Sequence, residues 1–183
     1  KKIDSFSKKD FAIVSRISKS KNIEESIEGF LNSSASESSS ISIIGGPLTN
    51  EDKKYYEYLL NLYKDYKNIS FIGPVPHSEL ANYLKNVSFH INNTDKGFYD
   101  KSVLETSVNG IINFYKNIDY DKNIPIEYQE ALKFDGSSSD LSNKISSVFT
   151  LNQNEFLKII EHSQEEIKNE SLDTLVDRIE RVI

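Results

Sequence analysis

Apolar residues occur along this chain as short unbroken runs, separated by stretches in which they recur at helical spacing. Phe11, Ala12, Ile13 and Val14 form the first run, the pattern of a strand buried on both faces. Ile23, Ile27, Phe30 and Leu31 follow at the spacing of a helix with one inward face. A Ser-rich loop over 33–40 leads to a second strand over 41–44, which ends at Gly45-Gly46-Pro47. The alternation then continues. A long helix is predicted from about 50 to 66, with Tyr55, Leu59, Leu62, Tyr63 and Tyr66 as its inner stripe. A third strand covers 69–72, a short helix carries Leu80, Tyr83 and Leu84, and a fourth strand covers 87–91. Val103, Leu104 and Val108 mark another helix, and 111–115 a fifth strand. Residues 131–134 predict a sixth. Three helices close the chain, on Leu141/Ile145/Val148, on Phe156/Ile160/Ile167 and on Leu172/Leu175/Val176/Ile179/Val182.

Strands alternating with helices predict an α/β fold: a Rossmann-like parallel sheet with helices on both faces and a helical C-terminal tail. The chain of 183 residues reads as a single domain, with an α/β core over about 8–150 and the terminal helices over 151–183. It has no Cys, which excludes thiolate chemistry, iron–sulfur clusters and disulfide scaffolds. Three scattered histidines, His77, His90 and His162, do not make a metal site. No apolar run approaches the ~20 residues of a membrane span. The chain begins Lys1-Lys2-Ile3-Asp4, without Met or a signal peptide, and reads as a piece of a longer protein. Net charge is −6, but the first 21 residues hold seven Lys or Arg against two Asp, a local +5, so the rest carries −11. An acidic body argues against nucleic acid as a partner, whereas a basic end suits a small anion.

In such sheets ligands bind beyond the carboxyl ends of the strands, so the residues that follow each strand are the candidates. After the first come Arg16 and Lys21, two cations beside a helix start, a recipe for phosphate. After the second come Gly45 and Gly46, where a backbone without side chains lets a ligand approach. Gly73, Pro74 and Val75 follow the third, and a loop containing Gly97, Phe98, Tyr99, Asp100 and Lys101 follows the fourth. Glu105 stands on the next helix, where a carboxylate can accept two sugar hydroxyls. Neither the dinucleotide fingerprint nor the P-loop is present.

Taken together, Arg16-x4-Lys21, Gly45-Gly46, the Phe71-Ile72-Gly73-Pro74-Val75 strand exit and the segment from Gly97 through Leu104-Glu105-x4-Gly110 resemble the C-terminal half of the retaining GT-B glycosyltransferases of family four. The resemblance runs from about Phe11 to the end of the chain. It implies that Arg16 and Lys21, with Gly45 and Gly46, clamp the donor diphosphate, that Gly73 and Val75 lie beside the nucleotide base, and that Glu105 holds the ribose. It implies further that the 97–101 loop turns its N–H groups to the donor sugar and phosphates, with Asp100 and Lys101 as catalytic candidates. The donor would be a UDP-, GDP- or ADP-sugar, with no metal or other cofactor. The acceptor, a glycan or a lipid-linked sugar, would lie on an N-terminal domain absent from this chain. Bacterial polysaccharide assembly in the cytoplasm is the implied setting, with any inner-membrane contact made by the missing half. One departure is clear: the first Glu of the family's E-x7-E motif falls at Gly97, with Asp95 and Asp100 out of register. In Leu104 to Gly110, Thr106, Ser107 and Val108 replace the family's small and Met residues, which reads as packing variation. Two other readings compete, a degenerate interaction domain and a fragment of a GT-B sugar-nucleotide epimerase.

Other residues have plainer readings. The tyrosines and lysines of the 50–66 helix suit a packed helix with snorkelling lysines better than a nucleic-acid platform. Asp119-Tyr120-Asp121 copies a metal-binding motif but sits in a polar loop. His77 reads as a loop or capping residue, His90 as a packed strand residue, and 136–140 as a helix entry.

Overall fold

The computed structural model describes residues 9–98 and 100–168. Tyr99, the basic cluster at Lys1, Lys2 and Lys8, and the last expected helix lie outside the described residues. The sheet is built from β1 (Asp10–Val14), β2 (Ile41–Ile44), β3 (Ile69–Gly73), β4 (Val87–Asn92) and β5 (Ile112–Tyr115). Every pairing is parallel and the order is β3-β2-β1-β4-β5. The chain runs outward from β1 through β2 to β3, then restarts at β4 on the other side of β1. The switch point therefore lies between β1 and β4, where a parallel sheet opens a crevice at its carboxyl end.

Among the described residues, seven α-helices connect and cover the sheet: α1 (Ile23–Leu31), α2 (Asn50–Leu62), α3 (His77–Tyr83), α4 (Lys101–Val108), α5 (Ile126–Leu132), α6 (Ser138–Val148) and α7 (Gln153–Lys168). Strand alternation splits the core in two. Phe11, Ile13, Ile41, Ile43, Phe89 and Phe114 face the larger cluster, which takes in the inner residues of α1, α2, α6 and α7. Phe11 stacks on Phe89 at 4.9 Å and meets Phe30 of α1 at 5.1 Å, and Phe156 of α7 closes edge-on at 5.8 Å from Phe89. Ala12 and Ile44 face the other way, and Val87 joins them where the β1–β4 register shifts between Val87 and Phe89, against Leu80 of α3 and Leu84 just after it.

Two expectations are corrected. Residues 131–134 are not a sixth strand. Pro125 starts α5, which runs through Leu132, and only Lys133 forms an isolated parallel bridge to Tyr115. That fragment lies along β5, an edge strand that is nonetheless buried throughout. The helix predicted to reach residue 66 ends at Leu62, and its inner stripe is narrower than predicted. Tyr55, Leu59 and Tyr63 are buried, but Leu62 and Tyr66 are exposed.

A candidate functional site at the carboxyl ends of the strands

The exits of β1, β2 and β3 are laced together by backbone. Ser15 N–H donates to the Ile44 carbonyl at 3.1 Å, Ile17 N–H to Gly46 at 3.0 Å, and Gly45 N–H to Gly73 at 2.9 Å. Gly45 is required by this lacing. Its φ is +139°, and a Cβ there would come within 1.8 Å of the Ser15 carbonyl oxygen. The need for glycine at 45 is thus internal packing, while Gly46 lies against the Pro74 ring.

Arg16 projects from this laced edge. It is exposed, and its guanidinium has no hydrogen-bond or ion-pair partner among the described residues. Its charge reaches α2, where Thr49 and Asp52 form a reciprocal capping box. The Thr49 N–H and hydroxyl and the Leu48 N–H, with Arg16 nearby, hold the Asp52 carboxyl below the usual carboxylate range against the opposing effect of burial.

Across the switch point, Asp100 starts α4. Its Oδ1 accepts the Ser102 N–H at 3.1 Å, the N-cap bond, and its Oδ2 takes the Lys21 ammonium at 2.8 Å. The Tyr120 hydroxyl accepts the Asp100 N–H and donates to the Asp100 carbonyl. Burial pushes the Asp100 carboxyl up, but Lys21 and Ser102 outweigh it and hold it below the ordinary range. One turn on, Glu105 Oε1 lies 3.1 Å from His77 Nε2, at the first residue of α3.

These residues border two adjoining clefts. The larger, about 440 Å³, is bordered by Arg16, Gly45, Gly46, Val75, His77, Asp100, Lys101 and Glu105. The smaller, about 320 Å³, is bordered by Arg16, Ser20, Lys21, Phe98 and Asp100. Two larger hollows, of about 770 and 700 Å³, lie between α1 and α2 and beside α7. The strand-end clefts are the candidate site because the topology opens there and because an unpartnered cation faces them.

Most of the residues singled out in the sequence are thus brought together: Arg16, Gly45, Gly46, Val75, Asp100, Lys101 and Glu105 around one cleft, and Lys21 and Phe98 around its neighbour. Gly73 lies behind the wall, holding Gly45 through its carbonyl at a φ of +83°. Three N–H groups of the 97–101 loop, which the resemblance turns toward the donor, have partners within the chain. Gly97 donates to the Asp119 carboxylate at 3.0 Å, Phe98 to the Asp95 carbonyl at 3.2 Å, and Asp100 to Tyr120. Asp119 and Asp121 have separate partners, Asp121 taking Lys133 at 2.8 Å, and the described residues contain no group of His, Asp and Glu that could hold a metal ion. His77 is a site member that sequence reasoning left as a capping or loop residue; its place just after the β3 exit was the available signal. Thr106 and Ser107, read as packing variation, are both buried. They bond the buried Asn113 amide at 2.7 and 2.8 Å beneath the site.

No protein-family profile matches the chain, and no curated protein matches it in sequence. Its fold, in contrast, recurs among solved structures. The catalytic domain of the cholesterol-α-glucosyltransferase of Helicobacter pylori superposes with a TM-score of 0.72 at 20% identity, over 89% of this chain and 99% of that one. HepE of Anabaena, solved with UDP and glucose, gives 0.77 at 13% identity, over 97% of this chain and 48% of its own. The C-terminal domain of LpcC from Francisella tularensis, a glycosyl transferase group 1 family protein, gives 0.70 at 18% identity, over 88% of this chain and 85% of that one. The chain spans under half the length of HepE, and 45% of a sucrose-phosphate synthase from Thermosynechococcus elongatus. Its Rossmann-like fold is therefore that of one half of a GT-B glycosyltransferase, and at this level the resemblance read from the sequence holds.

Proposed function

We propose that this chain is the donor-binding domain of a retaining glycosyltransferase that moves a hexose from a nucleoside diphosphate to a glycan or lipid-linked acceptor. The observation that carries the reading is the strand-end cleft bordered both by Arg16, without a partner among the described residues, and by Glu105. Arg16 takes the diphosphate, with Lys21 and Lys101 the two lysines beside it. Glu105 accepts the ribose hydroxyls, with His77 beside it, and Val75 lies against the base. Cations stabilise the leaving diphosphate in place of a metal. HepE with UDP and glucose supports the same ligand class here. In this reading residues 1–183 are one unit, and the acceptor and any membrane contact belong to a second domain outside the chain. Polysaccharide assembly in a bacterial cytoplasm is the setting.

Gly97 at the first position of E-x7-E and the capture of Lys21 by Asp100 favour a second reading, an interaction domain that has lost its donor. A thermal-shift panel with UDP, GDP, ADP and their sugars separates the two. A ligand at 100 times its Kd adds about 2.7 kcal/mol. For a domain of this size that raises Tm by about 5–10 °C. The donor reading expects such a shift with one base, lost in Arg16→Ala. No shift with any nucleotide leaves the interaction domain.

A further inference from the structure

Part of the tyrosine and lysine set of α2 serves neither the core nor the strand-end clefts. It borders the hollow of about 770 Å³ between α1 and α2, which shares no bordering residue with those clefts. Tyr55 and Tyr58 stand there one turn apart, with ring planes 19° and centroids 6.3 Å apart. One residue of α1 holds both at the tip. The Glu24 N–H donates to the Tyr55 hydroxyl at 3.3 Å, and the Tyr58 hydroxyl donates to Glu24 Oε1 at 2.9 Å. Tyr55 is buried, whereas Tyr58 is 48% exposed. A ring already fixed at its polar end loses little freedom when a ligand packs on its face.

The charges around the hollow cancel, Lys19 and Lys54 against Glu24 and Glu51. No ion pair joins them among the described residues. Lys19, Asn50, Glu51 and Lys54 are exposed, and their side chains have no hydrogen-bond partner there. The adjoining start of α2 is already satisfied by the Thr49–Asp52 capping box. With no surplus of either sign, the hollow favours no ion. Its ammonium groups only donate, its carboxylates only accept, and the Asn50 amide does both. A hydroxyl does both as well, so a ligand rich in hydroxyls can meet every one of these groups. A ligand that also carries a flat apolar face for Tyr58 is a sugar. The volume falls in the range of small-ligand sites, about 300–1,000 Å³.

We propose that the α1–α2 hollow is a carbohydrate-binding site, separate from the strand-end clefts, that takes an uncharged oligosaccharide on the face of Tyr58. It stands on its own geometry and does not need the donor reading. Its residues lie on and just before α1 and α2, the helices that follow the exits of β1 and β2.

Nuclear magnetic resonance titration of the full chain tests it. The probes are maltotriose, cellotriose, mannotriose and tri-N-acetylchitotriose, with trigalacturonate as the anionic counterpart. At least one neutral trisaccharide is expected to bind with a Kd on the order of millimolar, as suits an open site, and to shift the amide signals of Lys19, Glu24 and residues 50–58. Trigalacturonate is expected to bind at least tenfold more weakly. Tyr58→Ala is expected to weaken the neutral sugar by about tenfold or more, and Tyr58→Phe, which keeps the ring, to stay within about threefold of wild type. Circular dichroism melts check that both variants fold. No shift with any neutral trisaccharide at about 20 mM, well above that Kd, overturns the site. So do shifts confined to the Arg16–Glu105 cleft, unchanged binding by Tyr58→Ala, or tighter binding of trigalacturonate. UDP, GDP and ADP titrated into the same sample report on the donor reading separately. Sugar shifts at Tyr58 with no nucleotide binding keep this site and remove the donor, and nucleotide shifts at Arg16 with no sugar binding do the reverse.

Discussion

His90 shows how a single buried residue ties the strand ends together and sets a pH dependence. It is fully buried in β4, between β1 and β5. Its Nε2 lies 3.3 Å from the Val14 amide nitrogen, and since an amide N–H can only donate, Nε2 is the acceptor. The ring proton therefore sits on Nδ1 and points to Asn113 Oδ1 at 2.7 Å. Burial pushes the imidazole down to about 4, against the opposing pull of Asn113 and the charge of Asp100. In the unfolded chain an imidazole titrates near 6.5. Between these values the unfolded chain takes up a proton that the folded one refuses. The stability this group contributes is full above about pH 6.5 and drains away as pH falls towards 4. Between pH 7 and 4.5 wild type is expected to lose about 2–3 kcal/mol more than His90→Gln in urea unfolding. Equal losses in the two proteins would remove His90 as the cause.

At the scale of elements, the legible features were those that depend on neighbours along the chain. A strand buried on both faces leaves an unbroken apolar run such as 11–14, and the topology then sends attention to the residues after each strand. Short runs are where this fails. Residues 131–134 have the composition of a strand, but Pro125 had already started a helix that runs into them. The periodicity through Tyr66 was followed past the helix end at Leu62. What could not be read were pairings across the fold: Lys21 with Asp100, 79 residues apart, and His77 with Glu105, 28 apart, exist only because the exits of different strands converge. Gly45 was legible as a glycine at a strand exit, though not for its reason, because the Ser15 carbonyl that crowds it lies at the exit of another strand. That reason can be measured. Gly45→Ala meets both a clash and a positive φ, so it is expected to cost about 3 kcal/mol or more. Gly73→Ala has a positive φ but nothing within 4 Å of the new Cβ, and is expected to cost about 1–2 kcal/mol. Chemical unfolding of the two variants checks the order, and a Gly45→Ala no costlier than Gly73→Ala would remove the backbone contact as the constraint.

At the scale of the whole molecule, the proposed function has an acidic chain hold an anionic ligand, and two effects of opposite sign compete. The net charge of −6 repels a diphosphate from a distance, whereas Arg16 and Lys101 attract it at the cleft. Distance decides between them. At 0.1 M salt the Debye length is about 10 Å, so charges spread over the far side of the domain are already largely screened, while cations in contact with the ligand are not. At 1 M it falls to about 3 Å, and the remaining change acts on the local attraction. Binding of pyrophosphate or nucleoside diphosphate is therefore expected to weaken by roughly three- to tenfold as salt rises from 0.1 to 1 M. The Lys101→Gln variant, with one local cation fewer, is expected to show a shallower dependence. Calorimetric titration across that salt range gives both slopes. Binding that tightened with salt would mean that the acidic body governs the encounter, and the cleft would then not be a site built on local positive charge.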